Sequence, residues 1–296
     1  MEINELISLL RCPATHGPLE INNGQIKAVN TEDTFPFKEN VPDLRLAPKK
    51  ISINTPWYEP WEDLEKVKLG YPPVTVSRDD LPFHLDEHLA SIAGEDGGGR
   101  TILEIGCGDR QCEAWFTNRN FRYVGSDIDF RGIGPHVMAD AHNLPFKDNT
   151  FDLVTSMAVS EHLISPITAA QEIYRVLKPG GTYFGSSAFV YCFHDKASFH
   201  HMSHAGLLYV LRVAGFNVER LWPDWYYQDA VPEMGFRGAA AAPWRISLRG
   251  ILKFADWTFL RTSNLARKIT SKPPIDEFQR QLHLAGSVSF AVHRPD

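Results

Sequence analysis

Cysteine is scarce in this chain. There are four in 296 residues, Cys12, Cys107, Cys112 and Cys192. They follow no regular spacing, which argues against a disulfide framework, and a chain of this length buries enough apolar surface to fold without one. An excess of basic charge is also missing. Thirty Lys and Arg stand against 36 Asp and Glu, for a net charge of -6. A general nucleic-acid binder is therefore not expected, because neutralising many phosphates demands a basic face. No apolar run approaches the roughly 20 residues that a membrane-spanning helix requires. The first residues carry acids, Glu2 and Glu5, and no basic region precedes the apolar run, unlike a secretory signal. With 43% hydrophobic and 22% charged residues, the composition is that of an ordinary globular protein. The expectation is a soluble, cytoplasmic protein.

What is present divides into three parts: residues 1–48, a linker and helical cap over 49–99, and a main domain over 100–296 with a helical insertion at about 224–282. In the first part, Glu5–Leu10 predicts a short helix stopped by Cys12-Pro13. Asn22-Asn23-Gly24 between two short apolar runs predicts a hairpin, and Phe35–Phe37 and Val41–Leu46 add extended pieces. Three segments carry a resemblance: Leu9-Leu10-Arg11-Cys12-Pro13, Gly17-Pro18-Leu19, and Phe35-Pro36-Phe37-Lys38-Glu39-Asn40-Val41-Pro42. They resemble the small zinc-ribbon family that includes the activator subunits of tRNA methyltransferases. In that family paired cysteines hold a zinc. Here Cys12 is accompanied only by His16, and no second Cys-x-x-Cys follows before Cys107. Two ligands do not make a closed tetrahedral site, so the unit is read as degenerate and without metal. In the linker, Asp80–Ala93 predicts a helix. Its aromatics, Tyr58 among them, are read as packing or as a wall over an acceptor pocket.

From Arg100 onward apolar strand-like runs alternate with helical stretches, which predicts a parallel sheet in a doubly wound α/β fold. The strongest segment is Thr101–Asp109, a strand running into the turn Glu104-Ile105-Gly106-Cys107-Gly108. Glycines there let the backbone turn sharply and approach a ligand, but position 111 is Gln, so the third glycine of a dinucleotide fingerprint is missing. A second strand, Tyr123–Ser126, ends at Asp127, placed to accept ribose hydroxyls, with Asp129 as the alternative. Ala139-Asp140-Ala141-His142-Asn143-Leu144-Pro145-Phe146 precedes a third strand-like run, and Leu177-Lys178-Pro179-Gly180-Gly181 closes a helix before the next.

In this order and at these spacings the segments resemble the class I S-adenosylmethionine (SAM)-dependent methyltransferase family, over roughly residues 100 to 215. The resemblance implies a Rossmann-like, doubly wound seven-stranded sheet whose last strand, Ser287–His293, is antiparallel. It also implies SAM as cofactor. By position, Glu104, Gly106, Cys107 and Gly108 face its methionine part. Asp127 holds the ribose, Ile128 packs on the adenine, Asp140 and Ala141 read the adenine edge, and Ser156 lies near the sulfonium.

The acceptor is less legible. Glu161-His162 follows the strand at Leu153–Ser156. His162 is a candidate general base with Glu161 beside it, because an unperturbed imidazole titrates near pH ~6.5; the alternative is a hydrogen-bonded structural His. No further metal ligand for the pair can be assigned along the chain, and no metal is expected. His194, His200 and His201 lie on the loop that borders the acceptor pocket in such folds, and are read as loop packing, as acceptor contacts or a base, or as a metal site, for which no tight ligand pattern emerges. The insertion holds a basic amphipathic stretch, 244–269, read as a lid or homodimer helix or as a peripheral membrane contact. The expected function is methyl transfer to a hydroxyl or amine of a small-molecule or glycan-type acceptor. The rivals are a catalytically weak SAM-binding scaffold acting through the N-terminal module, and a partner-dependent RNA or protein methyltransferase. The latter is disfavoured because Ser156-Met157-Ala158-Val159 stands where Asn/Asp-Pro-Pro-Tyr/Phe would be needed.

Overall fold

The structure is a computed structural model that describes residues 2–46, 67–79, 81–82, 85–194, 197–235 and 242–296. Tyr58 lies outside the described residues. The N-terminal unit begins with α1 (Ile3–Leu9), followed by β1 (Leu19–Asn22) and β2 (Gln25–Ala28). Asn23 and Gly24 join the two strands with φ of 50° and 75°. Positive φ at both turn positions matches the strand twist, and Asn-Gly is the residue pair that tolerates it. Next come β3 (Thr34–Phe35), β4 (Phe37–Lys38) and β5 (Val41–Pro42). The first three strands form one small sheet, and β4 and β5 pair separately.

These short sheets do not enclose a core of their own. Leu6, Leu10, Cys12, Ile26 and Leu44 belong to the same buried cluster as Leu103, Val124, Val137 and Phe146 of the main domain. Backbone bonds fasten the junction: Arg11 N–H to Pro145 O at 2.9 Å, Lys147 N–H to Leu9 O at 3.0 Å, and Leu44 N–H to Met138 O at 3.0 Å. Cys12 is fully buried in this seam, and its sulfur accepts from Thr15 N–H at 3.4 Å.

The linker contributes β6 (Lys68–Leu69) and α2 (Glu87–Ala93). The helix begins later than the predicted Asp80. Asp86 accepts from Leu89 N–H at 2.7 Å and so caps the first turn. The main domain then runs β7 (Thr101–Ile105), α3 (Glu113–Thr117), β8 (Arg122–Asp127), β9 (Val137–Met138), β10 (Phe151–Met157), a single 3₁₀ turn at Ser160–His162, α4 (Pro166–Val176), β11 (Leu177–Ala188), α5 (His204–Val213) and β12 (Asn217–Tyr226). It ends with α6 (Tyr227–Gly235), α7 (Ala242–Ile269), α8 (Glu277–His283) and β13 (Ala285–His293). Local chemistry explains α4. Ser165 caps it by accepting from Thr168 N–H, Pro166 occupies the first turn, and Ala169, Ala170, Ile173 and Val176 form the buried face.

The strands form one sheet in the order β6-β12-β13-β11-β10-β7-β8-β9. Seven are the expected strands. The eighth, β6, is a two-residue addition from the linker that pairs in parallel with β12 through Arg220 and Leu221. β13 runs antiparallel to both β11 and β12. At the opposite edge β9 is covered by the N-terminal unit, through Asp43 beside Met138, which removes an exposed pairing edge. β12 stays paired with β13 as far as Tyr226, and between these two strands the described residues form three helices. The sequence order of the strands reverses between β7 and β10, and in open α/β sheets the crevice at the carboxyl ends of the strands beside such a reversal is where ligands bind.

Candidate active site

The turn after β7 sits at that reversal. Gly106 and Gly108 have φ of 70° and 55°. A Cβ at Gly106 would lie 2.4 Å from Val159 Cγ2, so a side chain there is excluded twice, by conformation and by space. At Gly108 nothing stands within 4 Å of where a Cβ would be, so the turn borders open space. Asp127 ends β8 next to it. Its Oδ2 accepts from Gly108 N–H at 2.8 Å and its Oδ1 from Asp129 N–H at 2.9 Å. A carboxylate offers about four lone-pair sites, so two amide bonds leave capacity for a diol. Ile128 follows, 54% exposed, and Arg45 of the N-terminal unit donates to its carbonyl at 3.0 Å.

Glu104 is set beneath the turn, 5% exposed, with the Tyr123 hydroxyl donating to it and the Cys112 thiol beside it. Burial pushes its carboxyl up to about 7, outweighing those two bonds. Burial likewise raises the Cys107 thiol, so this cysteine is an apolar spacer and not a nucleophile. The folded chain thus keeps a proton on Glu104 where an unfolded glutamic acid, with its ordinary value of 4.5, has lost it. The group's stabilising contribution is full below pH 4.5 and is lost as pH rises to about 7. Denaturant titration should show the parent losing stability over this window by roughly 1–3 kcal/mol more than Glu104→Gln. Parallel pH profiles for the two proteins would contradict this placement of the proton.

Asp140 accepts from both the backbone N–H (2.9 Å) and the ring Nδ1 (2.6 Å) of His142, each through Oδ1. Burial works to raise its carboxyl, but the His142 bonds prevail and hold it below the ordinary range. Ala141 beside it is buried. Ser156 lies inside β10, is 2% exposed, and its hydroxyl bonds Tyr183 Oη at 2.7 Å. The strand continues one residue beyond the expected run, to Met157.

Val159 leads from the glycine turn into the 3₁₀ turn with Glu161 and His162. Glu161 is fully buried, and among the described residues neither of its carboxylate oxygens has a hydrogen-bond donor. Burial raises its carboxyl. The amides of Glu161 and Ala188 oppose this from nearby without forming bonds of ordinary geometry. His162 Nδ1 bonds Ala197 O, and His194 Nδ1 bonds Cys192 O at 3.0 Å. A carbonyl only accepts, so each ring donates from Nδ1. His194 Nε2 stands 3.8 Å from Glu161 Oε1. Ligand atoms of Glu161, His162 and His194 all lie within 4.8 Å of one another, a grouping able to hold a cation. No third ligand could be assigned along the chain; the loop after β11 provides it, held down by Phe199 N–H on Glu161 O at 2.6 Å.

Of the other loop histidines, His201 stays beside the cluster, its ring 5.8 Å from that of His194. His201 Nε2 bonds Ser198 Oγ at 2.7 Å, and exposed His200 reaches Ile164 O at 3.2 Å. Two aromatics extend the cluster: Tyr191 is 5.0 Å from His194, and Trp225 is 5.0 Å from Tyr191, measured between ring centroids. Missed in the sequence was Asp224 on β12, whose carboxyl is pushed up to about 7 by burial and then by Asp86. The signal was an acid interrupting the apolar run Leu221–Tyr226.

Residues 103–185 match the family model described as a methyltransferase domain. The matched span holds the glycine turn, Asp127, Asp140 and the Glu161-His162 pair. An uncharacterized methyltransferase from Mycobacterium sp. (strain KMS) is 38% identical over 93 residues, 28% of this chain and 37% of its own length. Another, from Mycolicibacterium paratuberculosis, is 36% identical over 113 residues, 34% of this chain and 44% of its own. The chain thus spans less than half the length of these curated relatives. Among solved structures, a putative methyltransferase from Bacillus halodurans is similar at 19% identity and TM-score 0.45, over 70% of this chain and 97% of that one.

Proposed function

We propose that the protein transfers a methyl group from SAM to a hydroxyl or amine of a small-molecule or glycan-type acceptor. The family match supports a methyltransferase. The observation that carries the cofactor reading is Asp127, whose carboxylate binds the Gly108 amide at the sheet's reversal point and keeps lone pairs for a ribose diol. Glu104, Gly106 and Gly108 would border the methionine part, Ile128 would flank the adenine, and Asp140 with Ala141 would read its edge. Bound there, SAM supplies a methyl carbon already made electrophilic by its sulfonium. The chain's own task is alignment, a proximity effect, and removal of the acceptor's proton. His194 Nε2 stands 3.8 Å from the Glu161 carboxyl and His162 completes the cluster, and we assign proton acceptance to His162 with Glu161 and His194 supporting it. Val159, packed on Gly106, joins this cluster to the cofactor turn.

The test is transfer of labelled methyl from SAM to a panel of sugars, lipid-linked glycans, phenols and amines. Transfer to at least one class is expected. A folded protein that binds SAM yet transfers to none of them would favour the scaffold alternative.

A further inference from the structure

Helix α7 has more apolar surface than its neighbours cover. Its packed side carries Leu248, Leu252 and Leu260, all part-buried. Ion pairs tie that side down: Arg245 to Glu233 at 2.7 Å, Arg249 to Asp229, and Asp256 to Arg280. On the other side Trp244, Ile251, Phe254, Leu265 and Ile269 are exposed by 66%, 63%, 69%, 61% and 77%. At 3.6 residues per turn these five fall within roughly a quarter of the helix circumference. A largely apolar stripe of this kind facing water, interrupted by Ser247, Thr258 and Thr262, marks an interaction surface. Along one flank stand Lys253, Arg261 and Lys268, for which no acidic partner occurs among the described residues. Arg261 lies over the Trp257 ring at 4.6 Å.

We propose that α7 docks the protein on an anionic lipid surface. An apolar stripe with Trp and Phe, flanked by cations, is the pattern of a helix lying in the plane of a membrane interface. Charge selects this occupant over a second copy of the chain. The helix carries six basic residues against a single acid, Asp256, and that acid is engaged by Arg280. Two such faces opposed would set cation against cation, whereas anionic headgroups complement them. No helix among the described residues is long and apolar enough to cross a membrane, so the contact is with the surface. An open cleft between α6 and α7, walled by Trp225, Pro232 and Ile246, lies beside the aromatic path from Trp225 through Tyr191 to His194. On the methyl-transfer reading, this arrangement favours an acceptor presented at the membrane; the docking itself does not depend on that reading.

The full-length protein should co-float with vesicles of equimolar phosphatidylcholine and phosphatidylglycerol, and much less with phosphatidylcholine alone. Raised salt should weaken the binding. Phe254→Ser/Leu265→Ser should reduce partitioning by about tenfold or more, and Arg261→Glu/Lys268→Glu should reduce it selectively for the anionic vesicles. Circular dichroism should be unchanged in both, because all four side chains face solvent. No binding to anionic vesicles by the parent, or equal binding by the serine variant, would overturn the proposal. So would a concentration-dependent dimer abolished by the serine variant without any vesicle binding. Flotation is read without SAM, so its outcome is separate from that of the cofactor titration.

Discussion

Asp127→Ala is expected to lower SAM affinity by about a hundredfold or more while the protein stays folded. The reasoning begins with the strand. β8 places Asp127 at its carboxyl end, where its two oxygens bind the amides of Gly108 and Asp129. Hydrogen bonds to a charged partner contribute about 1.5–3 kcal/mol each, and two ribose hydroxyls are at stake. The variant also frees the Gly108 amide, loosening a turn whose φ values only glycine adopts without strain. Asp127 is not part of the buried core, so urea unfolding should change little. Asp127→Asn separates the two effects: it keeps an acceptor oxygen for the turn but lacks the charge, and should fall between parent and alanine. Binding of SAM by Asp127→Ala as tight as that of the parent would remove Asp127 from the site.

His162→Ala is expected to reduce turnover by about 10²–10⁴-fold, the usual range for a lost general base, with SAM affinity changed only a few-fold. The ring is oriented by Ala197 O through Nδ1, which leaves Nε2 as the basic atom. Its neighbours are the buried Glu161 carboxylate and the His194 ring, 4.8 Å away between centroids. The comparison of kcat with KM is informative here: loss in kcat places His162 at the reacting proton, whereas normal kcat would leave it as a support for the 197–200 loop. The acceptor should be a hydroxyl compound found in the screen, since a neutral amine can shed its proton after transfer and would mask the effect.

The sheet was legible because its signals are local. Apolar runs such as Thr101–Ile105 and Phe151–Met157 are buried along almost their whole length, and parallel strands covered on both faces read as continuous hydrophobic segments. Gly106, Gly108 and Asp127 stood out because the turn and the strand end each demand particular residue types. What escaped detection depends on contacts distant in sequence. His194 reaches Glu161 only through the loop after β11, and nothing in its spacing marks it over His200 or His201. The end of β10 falls one residue beyond its apolar run because a strand's end is set by its pairing with neighbours, Met157 with Ser186 here, rather than by its own run. Residues 1–48 read as a separate unit from their turn chemistry, yet Leu10, Cys12 and Leu44 are buried in one cluster with the main domain's core, a fact no local pattern carries. In α7 the helical period was visible in the sequence, but its exposed stripe was not, because which face is covered is decided by α6 and α8.

The most direct measurement is calorimetric titration of the purified protein with SAM and with S-adenosylhomocysteine. The account predicts one-site binding of both in the micromolar range, because the ribose, adenine and methionine contacts are common to the two. Failure of a folded sample to bind either would contradict it, and would mean that the glycine turn, Asp127 and Asp140 do not form a cofactor site.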